Sequence, residues 1–227
     1  MSVTRRVKTL ALSGRTARAA ALTLSLAASA YLMGVAIASP AYWWLGWVTL
    51  LPLFYSIRVL SPGLAFCAGS FWGCCLFFAS FLDGGPRIAP NLLSLAFLTL
   101  TPGLYASFGA GLTRQVGFSP YLLALGWVWV EFALRPVGLR YGLLAGTQGN
   151  GAVLGVIGSF TGYVLVAFLV AYVNATLLSV LSQVRVTVAQ PRLVTGASGP
   201  QRRVIPLDLP SYLSRLFHPA QPRAPPA

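Results

Sequence analysis

Few side chains in this sequence could do chemistry, and Glu131 stands out among them. It is the only acidic residue inside an apolar run. A carboxylate in a membrane segment costs roughly 2.5–3.5 kcal/mol on insertion scales, so it is usually paired, protonated or functional. Arg135 lies four residues on, one helical turn away, which allows an intrahelical pair. The plainer alternative is that Glu131 sits near a helix end, reaches interfacial water and only steadies the loop that follows. That loop is rich in Arg and Gly and carries Arg140, Tyr141 and Gln148, and the long apolar run after it holds Asn174. Glu131, Arg135, Arg140, Tyr141, Gln148 and Asn174 are therefore the candidates for facing a lipid or a partner. For Asn174 the plainer role is a hydrogen bond between helices.

Other chemistries find little support. Cys67, Cys74 and Cys75 all lie in one apolar run with no C-x-x-C spacing and no histidine nearby, so they read as free, small, apolar helix residues. The single histidine, His218, cannot build a metal site or a catalytic triad alone. There is no phosphate-binding G-x-x-x-x-G-K-[ST], and Gly84-Gly85 is a turn signal. No cofactor and no metal are expected.

The elements that must position these residues are membrane helices. Of 227 residues, 56% are hydrophobic and 8% charged, and the mean hydropathy is +0.74. Such a composition belongs to a polytopic membrane protein. The formal charge is +13, from 16 Lys and Arg against 3 Asp and Glu. The charges flank apolar runs, which points to topology and anionic headgroups and away from nucleic acid. The expected fold is an all-α bundle of about six transmembrane helices, over residues 19–182. It follows a basic cytoplasmic segment, 1–18, and precedes a Pro- and Arg-rich tail, 183–227.

The six spans fall near 19–39, 41–57, 63–82, 91–112, 118–134 and 152–182. Pro52 is expected to interrupt the second, and Pro102-Gly103 to kink the fourth. Gly69 and Gly73 form a G-x-x-x-G in the third. The last run is longer than a crossing needs and starts Gly-rich, so an approach segment should precede a crossing helix ending near Leu181. The tail is expected to be disordered. Its one exception is a short amphipathic helix over 209–218, where Leu209, Tyr212, Leu213, Leu216 and Phe217 share a face. With six spans, thirteen basic residues fall on the side of the two termini and only Arg87, Arg135 and Arg140 on the other. Both termini are therefore expected in the cytoplasm.

The stretch from Trp127 to Leu178 carries a family resemblance. Trp127, Glu131 and Phe132, then Gly138, Leu144 and Gln148, then Phe168, Leu169, Val170, Val173, Asn174 and Ala175 resemble, in that order, the fifth and sixth membrane helices of apolipoprotein N-acyltransferase. Tyr141 stands where that family has a loop Trp, and Thr147 where Ser is usual. Arg135 comes one residue late, Pro136 replaces a Gly, and Arg140 replaces a Pro.

The resemblance implies a bacterial cytoplasmic-membrane protein of lipoprotein biosynthesis. It also implies an acyl transfer run by a Glu–Lys–Cys set in a nitrilase-like domain outside the membrane. In this chain Lys8, Glu131 and the cysteines are not expected to meet, and the 45 residues after Ser182 are too few for that domain. The expectation is a membrane half without the catalytic residues, a non-catalytic module. It would bind phospholipid or acyl chains, or dock a separate catalytic or lipoprotein partner. The alternatives are a truncated, inactive acyltransferase copy and a small transporter or channel.

Overall fold

A computed structural model describes residues 3–81, 91–137, 143–148 and 162–188. The chain divides into two units, 1–189 and 190–227. The second lies outside the described residues, and with it the helix expected at 209–218. The described residues are helical throughout: α1 (Val3–Ala38), a 3₁₀ segment (Pro40–Trp47), α2 (Leu51–Val59), α3 (Pro62–Ala79), α4 (Leu92–Val116), α5 (Pro120–Ala133), a 3₁₀ turn (Arg135–Val137), α6 (Leu144–Gln148) and α7 (Tyr163–Val188). Four stretches are long and apolar enough to cross a membrane: Thr16–Ala38, Pro62–Ala79, Leu92–Val116 and Tyr163–Gln183. α5 is a shorter apolar helix.

The helix starts follow local chemistry. Ser61, Asn91 and Ser119 precede α3, α4 and α5, and each accepts a bond from the backbone N–H three residues on. Pro62, Pro120 and Pro52 occupy first turns, where a missing N–H costs nothing.

Pairwise contacts fix the running directions. The Trp72 indole N–H donates to Ser29 Oγ at 2.8 Å, and Gly34 faces Ala79, so α1 and α3 run the same way. Gly69 faces Pro102 and Gly73 faces Leu98, so α3 and α4 run oppositely. The Tyr105 hydroxyl donates to the Leu123 carbonyl at 2.8 Å and its ring faces Gly126, while Leu123 also meets Gly109, so α5 returns along α4. Leu50, just before α2, and Arg58, near its end, reach Asn174 and Ser182, so α2 and α7 are parallel. Phe54 meets Tyr105 and Ile57 meets Gly109, so α2 runs with α4; six stretches among the described residues therefore alternate in direction, with the second pass running from Pro40 to Val59.

That second pass differs from the single span expected over 41–57. A 3₁₀ segment and α2 are separated by a break at Val48–Leu50. Pro52 does not interrupt the helix; it stands in the first turn of α2, two residues past the break. Eight 3₁₀ residues and nine α residues still give a contour of roughly 30 Å, enough for the hydrocarbon core. α1 also extends back through the basic segment to Val3.

The closest seam joins α3 and α4. Pro102 lacks the N–H that would bond the Leu98 carbonyl, and that carbonyl lies against Gly73. A Cβ at Gly73 would overlap the Leu98 oxygen, and one at Gly69 would overlap the Pro102 oxygen. The G-x-x-x-G thus seats the backbone that Pro102 leaves without its hydrogen bond. Behind it, Trp72, Trp127, Tyr105 and Phe54 from four elements form a chain of tilted or edge-on ring contacts, with centroids 5.3–6.4 Å apart.

Candidate functional site

Glu131 sits in the last turn of α5, buried at 6% exposure. Its Oε1 accepts from the Trp127 indole N–H at 2.7 Å and from the Leu144 backbone N–H at 2.9 Å. In a helix the Cα–Cβ bond tilts toward the N-terminus, so Glu131 leans back over Trp127. Leu144 opens α6, so the carboxylate holds one of the N–H groups that a helix start leaves without a partner. Oε2 is buried without a hydrogen bond.

The intrahelical pair with Arg135 is not formed. Helix α5 ends at Ala133, and Arg135 falls on the 3₁₀ turn beyond it. It is exposed, with its guanidinium carbon 4.2 Å from the centroid of the Phe132 ring.

α6 is a five-residue wedge fastened at both ends. At its far end Gln148, 1% exposed, donates from Nε2 to the Trp43 carbonyl and to Thr147 Oγ1, both at 2.8 Å. Thr147 in turn donates to the Leu144 carbonyl at 2.7 Å. The wedge fits because residue 46 is glycine: a Cβ there would meet Thr147 Oγ1 at 2.6 Å and Gln148 Nε2 at 2.9 Å. Gln148 Oε1, like Glu131 Oε2, is a buried acceptor without a partner.

Asn174 spans the break in the second pass. Its Nδ2 donates to the Gly46 carbonyl at 2.9 Å and to the Val170 carbonyl at 2.9 Å, and its Oδ1 accepts from the Leu50 N–H at 3.1 Å. One fully buried amide thus supplies an acceptor and a donor to backbone groups on either side of the broken helix.

Of the six residues singled out from the sequence, Glu131, Gln148 and Asn174 are brought into one region around the 3₁₀ segment. Arg135 is left at its edge. Arg140 and Tyr141 lie outside the described residues. Trp127, Thr147 and Gly46 complete the network. Sequence reading noted Trp127 and Thr147 only as parts of a motif, and Gly46 carried no signal beyond its type.

The cysteines are free: Cys67 is exposed on α3, and Cys74 and Cys75 are half-buried. Among the described residues no thiol is hydrogen-bonded to Glu131, and no group of His, Cys, Asp or Glu could hold a metal ion. The arrangement fastens a short helix and a broken one.

A family model described as the apolipoprotein N-acyltransferase N-terminal domain matches residues 29–176. The chain belongs to that family. The matched range opens at Ser29, the partner of Trp72, and closes two residues past Asn174, so it contains every member of the buried network. The family and the apolar helices together describe a membrane module of the N-acyltransferase type. Neither the curated proteins nor the solved structures give a match.

Proposed function

We propose that this chain is a non-catalytic membrane module of lipoprotein acylation. It holds the acyl chains of membrane phospholipid against its helices and presents them to a separate catalytic or lipoprotein partner. The supporting observation is the commitment of Glu131. One of its oxygens is held by Trp127 and by the start of α6, an anchoring role, with no thiol bonded to it. A general base needs hydrogen-bond reach to the proton it takes, and a nucleophilic thiol needs such a base.

The module lies in the bacterial cytoplasmic membrane with both termini in the cytoplasm. Arg18 starts the membrane part of α1, Arg58 ends α2 and Arg114 ends α4, all at one end of the bundle, whereas Arg135 lies at the other. The positive-inside rule puts the first end in the cytoplasm.

The test is reconstitution of the full chain in liposomes with a phospholipid carrying a photoactivatable group on one acyl chain, plus a diacylated lipopeptide. Covalent adducts on α-helical peptides after illumination, without triacylated product, are the expected outcome. Triacylated product from this chain alone would sink the non-catalytic reading, and absence of adducts would sink the lipid-holding one.

A further inference from the structure

α5 differs from every other pass in its length. Fourteen residues rise about 21 Å, against a hydrocarbon core of about 30 Å. A short span is met by local thinning of the bilayer. Its outward face carries Tyr121, Leu125, Trp129 and Phe132 at helical spacing, and Trp129 is 74% exposed. Arg135 lies just beyond the end of that face, with its guanidinium carbon over the Phe132 ring, 4.2 Å from the centroid. Arg135 is exposed, and a guanidinium held over a ring keeps its N–H donors available to a further partner. The only acid among the described residues, Glu131, interacts with its charge but makes no hydrogen bond or ion pair with it.

We propose that Arg135, held on Phe132, binds the phosphate of a membrane phospholipid whose acyl chains lie along the exposed face of α5. The fork of N–H groups matches two phosphate oxygens, and the contact with the aromatic ring holds the side chain at the end of the face. The short helix keeps this donor set below the usual headgroup level, so the lipid is drawn inward to meet it. The proposal deepens the lipid-holding reading and rests on it, by naming the headgroup chemistry and the helix.

Native mass spectrometry of the full chain, released from detergent, can count and titrate the first lipid adduct. The probes are phosphatidylglycerol, a diacylglycerol with the same chains, and inorganic phosphate. Arg135→Gln and Phe132→Ala should each weaken the phosphatidylglycerol adduct by about tenfold, the loss expected when a charge-assisted contact is removed. Arg135→Lys should recover only part of it, because an ammonium cannot make the fork. Arg114→Gln sets the loss that any single surface charge gives, and it should be smaller. An Arg135→Gln adduct as tight as that of the unaltered chain overturns the proposal. Diacylglycerol binding as tightly as phosphatidylglycerol also overturns it, while leaving the lipid-holding reading intact. Inorganic phosphate binding Arg135 as tightly as the lipid would assign the site to a free anion instead.

Discussion

The α3–α4 seam and the break in the second pass face the same physical problem. Each leaves a helix backbone group without its hydrogen bond in an apolar surrounding, where water cannot step in. The seam answers with closeness. Pro102 frees the Leu98 carbonyl, and Gly73 brings bare backbone against it with no side chain between. The break answers with chemistry. Asn174 reaches across from α7 and bonds the Gly46 carbonyl and the Leu50 N–H directly. The lesson is that a fault inside a membrane helix can be covered by removing atoms or by adding a functional group. The first makes the fold sensitive to volume and the second to hydrogen-bonding capacity.

That contrast can be broken most sharply at Gly73. Gly73→Ala places a methyl group on a backbone oxygen that cannot move aside, so the helices must part. The expected loss exceeds about 3 kcal/mol, the upper range for overpacking. It should appear as a collapse of the thermal unfolding midpoint in detergent. An unchanged midpoint would mean that the seam is loose and the G-x-x-x-G incidental.

Asn174→Leu comes next. It keeps the volume and orphans two buried backbone groups, for about 2 kcal/mol when membrane hydrogen bonds contribute roughly 0.6–1.7 kcal/mol each. Hydrogen exchange should rise at Leu50 and leave the α3–α4 seam alone. Rapid exchange at both places in this variant would show that the two faults are one cooperative unit.

Glu131→Gln sharpens the picture further. The amide oxygen can still accept from Trp127 and Leu144, so the loss should be about 1 kcal/mol or less. Adding Arg135→Gln should be additive within about 0.5 kcal/mol, because the two charges interact without a hydrogen bond or ion pair between them. Partial rescue by the second change would restore the ion pair that the structure lacks. The smallest effect is a gain. Gly111 in α4 has nothing within 4 Å of an added Cβ, so Gly111→Ala should stabilise by about 0.5–1 kcal/mol through helix propensity, raising the midpoint slightly.

Much of this architecture was legible in the residues themselves. Apolar runs broken by charge mark the passes, because hydrophobic length is a direct requirement of the bilayer. Gly69 and Gly73 announce a close seam, and Pro102 a carbonyl without its hydrogen bond, because both act locally. Asn174 was readable as an interhelical bond for the same reason that makes it rare: an apolar helix has no other use for an amide. The break at Val48–Leu50 was not legible. Nothing in 41–57 loses hydropathy there, and the group that makes the break tolerable lies 124 residues further on. Pro52 drew attention only because proline is the local signal of a break.

For Glu131, the four-residue spacing to Arg135 was sound helical reasoning applied one turn too far, since α5 ends in between. The tilt of helical side chains favoured the partner four residues back, Trp127. The second partner, Leu144, is a backbone N–H, which no pattern of side-chain types can reveal.

The separation between Asn174 and its partners also has a consequence in time. A ribosome adds roughly 5–20 residues per second, so about 6–25 seconds pass between the synthesis of Leu50 and that of Asn174. Throughout that interval the second pass exists with its Gly46 carbonyl and Leu50 N–H uncovered. Those groups must stay near water or in the shelter of the insertion machinery until α7 arrives. Nascent chains arrested before residue 174 should therefore leave 46–50 open to solvent-borne reagents, and chains arrested well after it should close that stretch. α7, made long after the second pass, is the helix that lets it settle.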